Sequence, residues 1–131
     1  MKIFNTLSGK KENFVPIEDN KIKMYVCGMT VYDDTHIGHA RTFLSFDLIV
    51  RYLRNINYEV NYIRNITDVD DKIISRAEEL GITPKELTEK YIDSMHDDFQ
   101  SLGMIEPDAE PRATDNIDSI ISLIELSLIH I

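Results

Sequence analysis

Several things are scarce in this sequence, and each scarcity excludes something. There is one cysteine, Cys27, so no internal disulfide forms, and a lone thiol fits a reducing compartment. No apolar run reaches the ~20 residues of a membrane-spanning helix. The start, Met-Lys-Ile-Phe-Asn, lacks the apolar core of a signal peptide and the Arg/Ser bias of a transit peptide. These features predict a cytoplasmic protein with no membrane contact. Basic residues are also scarce, 14 against 23 acidic ones, for a net charge of −9. That disfavours non-specific binding of nucleic acid by the chain as a whole. It leaves room for a local basic patch from Arg41, Arg51, Arg54 and Arg64, which otherwise form a solvated helix face. No internal repeat or low-complexity segment is present. What remains is a 131-residue chain, 43% hydrophobic, enough for one domain with a core.

The stretch 24–41 organises the rest. Residues 24–26 are apolar and β-prone and stop at Cys27-Gly28. A polar loop follows over 30–35, then His36-Ile37-Gly38-His39 opens a long apolar run. Strand, loop, glycine and helix start is the layout of a phosphate site in an open α/β sheet, beyond the carboxyl ends of the strands. The two histidines flank Gly38. At a helix N-terminus both rings reach one bound group, and an imidazole N–H donates to a phosphoryl oxygen. Gly38 lets a flat base or a phosphate lie against its backbone. The bland alternative is a helix cap plus a surface histidine.

The remaining elements follow from periodicity and punctuation. Residues 3–7 and 13–16 flank a polar turn at 8–12 and form a hairpin. Residues 40–56 form a helix with Phe43, Phe46, Val50 and Leu53 on one face and Leu44, Leu48 and Tyr52 on a neighbouring one, which implies cover on more than one side. Residues 59–65 form a strand, and strand–helix–strand is a right-handed crossover with parallel strands. Cys27 and Thr67 then lie past the carboxyl ends of neighbouring strands about 4.8 Å apart, bordering one pocket. A short helix covers 71–80, closed by Gly81. Thr83-Pro84-Lys85-Glu86 is a capping box with proline at the first position, opening a helix to Leu102 with Leu87, Tyr91, Met95 and Phe99 in its stripe. Residues 106–112, acidic with two prolines, are a loop and a candidate boundary. A last helix carries Ile117, Ile120, Ile121, Ile124, Leu128 and Ile131.

The string Cys27-Gly28-Met29-Thr30-Val31-Tyr32-Asp33, followed by His36-Ile37-Gly38-His39, resembles the first signature of the cysteinyl-tRNA synthetases, which are class I enzymes. Arg64-Asn65-Ile66-Thr67-Asp68-Val69-Asp70-Asp71-Lys72-Ile73 resembles that family's second block, and the start at 2–7 and Glu110-Pro111-Arg112-Ala113-Thr114 also fit. The resemblance runs in order from residue 2 to about residue 125. It implies a Rossmann-like α/β fold of the HIGH-type nucleotidyl transferases, of which residues 1–105 are the first half of the catalytic domain. Residues 106–131 are then a loop and helix leading onward. It implies ATP-dependent activation of cysteine to cysteinyl-adenylate and transfer to tRNA(Cys), with Mg2+ accompanying ATP, by an enzyme that is monomeric when whole. By the same resemblance His36 and His39 are catalytic. Thr30, His36, Gly38 and His39 bind ATP, and Cys27, Gly28 and Thr67 face cysteine.

Cys27, otherwise a small core residue, resembles the first ligand of a zinc ion that holds the substrate thiolate. Zinc prefers sulfur to a hydroxyl oxygen, which would separate cysteine from serine. The family's other ligands (a second cysteine, a histidine and a glutamate) are absent from this sequence, as are its Lys-Met-Ser-Lys-Ser signature and its anticodon-reading helical domain. His96 and His130 match no family ligand and are expected exposed. The sequence leaves the family pattern after about Glu125, so 126–131 reads as a non-native tail on a truncated chain, inactive alone. Thr67 is alternatively an N-cap for the helix at Asp71. Asp68, Asp70 and Asp71 either bind magnesium or complement a helix dipole. Tyr32 and Asp33 shape the loop. Two other functions fit a related fold: a cysteine:amino-sugar ligase, and a non-catalytic nucleotide-binding fragment.

Overall fold

The computed structural model describes residues 1–129. His130 and Ile131 lie outside the described residues, and with them the expected exposure of His130. The chain opens with a hairpin of β1 (Lys2–Asn5) and β2 (Lys10–Asn13), paired antiparallel from Lys2 opposite Asn13 to Asn5 opposite Lys10. The second strand was expected at 13–16, with 8–12 as the turn. The turn instead falls at residues 6–9, closed by Gly9 at φ +66° and by the Gly9 amide donating to the Asn5 carbonyl. Lys10, Lys11 and Glu12 are strand, and β2 is exposed along its length. A strand with no buried face has no alternation to betray it.

β3 (Lys21–Val26) and β4 (Glu59–Arg64) form the parallel pair, in register from Lys21 opposite Glu59 to Val26 opposite Arg64. β3 is longer than the expected 24–26, because Ile22 continues the inward alternation between outward lysines. The crossover between them is α1 (Ile37–Asn55), which buries Phe43, Asp47, Val50 and Leu53. Its second apolar face is not covered by the described residues: Leu44, Leu48 and Tyr52 are all exposed. The strand–helix–strand unit is Rossmann-like, as expected.

α2 (Asp71–Leu80) and α3 (Pro84–Ser101) pack against each other. α3 starts on the Thr83/Glu86 capping box and buries Leu87, Thr88, Tyr91, Ile92, Met95 and Phe99. The stretch 106–112 has no continuous strand, yet it lies along the far edge of β4 in parallel. Ala109 bridges Ile63 and Arg112 bridges Ile66. The Arg64 and Ile66 amides donate to the carbonyls of Ala109 and Pro111. Proline is tolerated there because an outer edge needs few N–H donors. A 3-10 turn (Thr114–Asn116) leads to α4 (Ile117–Ile129), in which no residue is buried.

Candidate active site

The strand ladder breaks and resumes just past its carboxyl end. Val26 pairs with Arg64, and the next bridge joins Thr30 to Thr67. Four residues separate the pairs on the first chain and three on the second, so one extra residue is accommodated after β3. An extra residue of this kind bends the strand and re-aims a side chain, much as a β-bulge does. Cys27 and Gly28 sit in this excursion, and Cys27 is exposed. Backbone bonds from Val31 to the Thr67 carbonyl (3.2 Å) and from Thr67 to the Met29 carbonyl (3.1 Å) close it on the far side. Cys27, Gly28 and Thr67, far apart in sequence, therefore come to one place.

Gly28 is required there by proximity. A Cβ on residue 28 would lie 1.6 Å from the Asn65 carbonyl oxygen. The Asn65 side chain fills the gap in the ladder. Its Oδ1 accepts from the Gly28 amide (2.9 Å) and from the Tyr25 hydroxyl (2.7 Å), and its Nδ2 donates to Thr67 Oγ1 (3.2 Å). The sequence offered no local signal for Asn65, which falls inside the strand expected over 59–65 and in the structure lies one residue past the end of β4.

The histidines form a single object. His36 is the N-cap of α1. Its Nδ1 accepts from the Gly38 amide at 3.0 Å, while His39 Nδ1 accepts from the His36 amide at 3.3 Å. The rings stack, centroids 3.8 Å apart and 16° between planes. An Nδ1 that accepts carries no proton, so each neutral ring holds its proton on Nε2. The bland alternative, a helix cap, is thus met in the geometry, and it leaves two Nε2–H donors at the positive end of a helix. Burial, and then the neighbouring His36 ring, push the pKa of His39 below its usual value. Gly38 also has a structural purpose. A Cβ there would meet the His36 ring at 2.8 Å, so the glycine makes room for the cap.

The loop between the two groups is pinned to α3. The Thr35 hydroxyl donates to Asp98, and the Ser94 hydroxyl donates to Asp34 (3.1 Å). Tyr32 lies under the Lys72 ammonium, 5.4 Å from ring centroid to nitrogen. Thr30 is half-buried beside Thr67. Among the described residues, no hydrogen bond or ring contact joins the histidine pair to Cys27 or Thr67.

The aspartates have structural roles. Asp70 caps α2 through the Lys72 amide (2.9 Å), which displaces the alternative of Thr67 as that cap. Asp68 is buried and accepts from the amide and hydroxyl of Thr114. Asp71 stands in the first turn of α2. Among the described residues no three of His, Cys, Asp and Glu are placed to share a metal ion. Cys27 is one sulfur donor, and one thiolate does not make a zinc site.

Three of the four candidate arginines are engaged by acidic partners, and Arg41 is exposed. Arg51 pairs with Asp47, and Arg54 with Asp108. Arg64 is buried, its guanidinium 5.1 Å from the Phe43 ring centroid and 4.9 Å from that of Phe99, and it pairs with Glu110 at 2.5 Å. The other Glu110 oxygen lies 2.5 Å from His96 Nε2. His96 is exposed, as expected, and through Glu110 it ties the 106–112 strip to α3.

Comparison with known proteins gives the family. Residues 13–130 match the family model described as the class I (C) tRNA synthetase catalytic domain. A cysteine–tRNA ligase of Sodalis glossinidius is 60% identical over 124 residues, 95% of this chain and 27% of that protein. Those of Desulfotalea psychrophila and Shewanella putrefaciens are 54% and 58% identical over 95% and 98% of this chain, and 26% and 28% of their own lengths. The chain thus spans just over a quarter of the length of the curated relatives it matches. By the extent of that match, the chain belongs to the class I (C) tRNA synthetase catalytic domain family.

Proposed function

We propose that the chain carries the nucleotide half of the adenylation site of a cysteine–tRNA ligase. The stacked His36/His39 pair supports this most directly. Two imidazole Nε2–H donors at a helix N-terminus suit the charge that builds on an α-phosphate. In the first step the cysteine carboxylate attacks the α-phosphorus of ATP in line, the new O–P bond forms as the bond between the α- and β-phosphates breaks, and pyrophosphate leaves; Mg2+ would enter with the nucleotide and offset its charge. In the second, a ribose hydroxyl of the terminal adenosine of tRNA(Cys) attacks the acyl carbon, and AMP leaves. No covalent enzyme intermediate is needed, so catalysis is positioning plus charge stabilisation.

His36 and His39 meet the phosphate, with Gly38 and Thr30 beside the nucleotide. Cys27, Gly28 and Thr67 border the amino acid. Cys27 supplies one donor toward a zinc ion, and no step is assigned to that ion because this chain does not complete its ligand set. Residues 1–105 act as the first half of the catalytic domain, and 106–131 as the loop and helix leading onward from it. The whole ligase is read as a cytoplasmic monomer, as the family resemblance implies.

Titrating the 131-residue chain with Mg-ATP tests this. Amide resonances of His36, Gly38 and His39 are expected to move, while cysteine-dependent pyrophosphate exchange stays at background. Shifts confined to other parts of the chain would overturn the nucleotide assignment. Exchange above background would overturn the claim that this chain alone is inactive.

A further inference from the structure

We propose that Asn65 is the positioning residue of the amino-acid end of the site, holding Cys27-Gly28 and Thr67 in one register. This rests on the proposed role of Cys27 and Thr67 in facing cysteine. Backbone pairing alone cannot set that register. Between the Val26–Arg64 and Thr30–Thr67 pairs the two chains differ by one residue, so their amides and carbonyls fall out of step. The Asn65 amide bridges the mismatch. Its oxygen stands in for a missing backbone acceptor and takes the Gly28 amide, and its nitrogen holds the Thr67 hydroxyl. The close packing of Gly28 on the Asn65 carbonyl brings the two chains near enough for both bonds. Tyr25, on the outer face of β3, donates to the same oxygen and fixes the amide's rotation, with the oxygen toward Gly28 and the nitrogen toward Thr67.

An asparagine here is not interchangeable with aspartate. Aspartate keeps the acceptor for Gly28 and loses the donor to Thr67. Alanine loses both. Neither substitution touches the backbone bonds of Arg64 and Ile66 to the 106–112 strip, and these provide an internal reference.

The experiment is residue-resolved NMR on the full chain with Asn65→Ala and Asn65→Asp. In Asn65→Ala the Gly28 amide should exchange about tenfold faster, the loss of roughly one hydrogen bond. The Cys27 Cβ and Thr67 methyl resonances should move, while the Ile66 amide and the Met95 methyl stay in place. In Asn65→Asp, Gly28 should keep its protection while the Thr67 methyl moves. Unchanged Gly28 exchange in the alanine variant would overturn the proposal. So would Gly28 and Ile66 accelerating together, which marks general loosening. Should Asn65→Ala not fold, Asn65→Asp decides alone, and Gly28 and Thr67 moving together, or neither moving, counts against the proposal. No nucleotide is needed, so a chain that ignores Mg-ATP but shows this pattern loses the functional reading and keeps Asn65 as the tie.

Discussion

Residues 27–39 and 64–68 hold mostly small and polar side chains, and Asp34, Thr35, both histidines, Asn65 and Asp68 each have a named partner. α4 is the opposite case. It carries eight large apolar side chains, from Ile117 to Ile129, and all are exposed. The first region holds its shape by directional bonds to residues as distant in sequence as α3. The second is helical by local preference, and among the described residues its main contact is with the turn that precedes it. A helix with so broad an apolar stripe normally packs it against something, and here no residue of it is buried among the described residues. Structure at the site therefore depends on individual atoms, whereas α4 is indifferent to them.

The sharpest way to break that contrast is Gly28→Ala. Its methyl carbon would lie 1.6 Å from the Asn65 carbonyl oxygen, and a backbone atom cannot swing aside as a flexible side chain can. Overpacking of this kind costs about 3 kcal/mol or more, read as a lower urea midpoint. Near-wild-type stability would mean that the two loops are free to part and that the tie between them is loose.

The crossover of β3, α1 and β4 was legible in the sequence because each element buries one face at its own period. α2 and α3 were legible because Gly81 and the Thr83/Glu86 box punctuate them. The site string was legible as a string, but its contacts were not. Arg64 reads as solvated because it is charged, and only the fold brings Glu110, Phe43 and Phe99 around it. Asn65 is a single polar residue whose partner Gly28 lies far upstream, so no local pattern marks it. The 106–112 strip, with two prolines, has the composition of a loop and still borders the sheet, since its amide bond comes from Asp108, a non-proline position, and Pro111 contributes only its carbonyl.

A smaller effect sharpens the comparison through protons. The pKa of His39 is held below its ordinary value, first by burial and then by His36, so the folded state favours the neutral ring. Between that lowered value and the unfolded value near 6.5, the unfolded chain binds more protons. Stability is then full above that window and falls as pH drops through it. The urea midpoint should decrease from pH 7.5 toward pH 5.5, with His39 titrating by NMR below free histidine. His36→Gln should bring His39 part of the way back, leaving the part due to burial. A His39 that titrates at or above the free value would mean that the rings do not stack in solution.

The smallest effect belongs to α4. Ile124→Ser replaces an exposed apolar side chain. Surface changes of this sort move stability by less than about 0.5 kcal/mol, so the urea midpoint should be unchanged within error. Serine lowers helix propensity only slightly relative to isoleucine, so the helical signal should persist. A loss of 2 kcal/mol or more, of the size seen for buried isoleucines, would show that this face is covered in solution. α4 would then be held by tertiary contacts as the site loops are, and the contrast between the two regions would disappear.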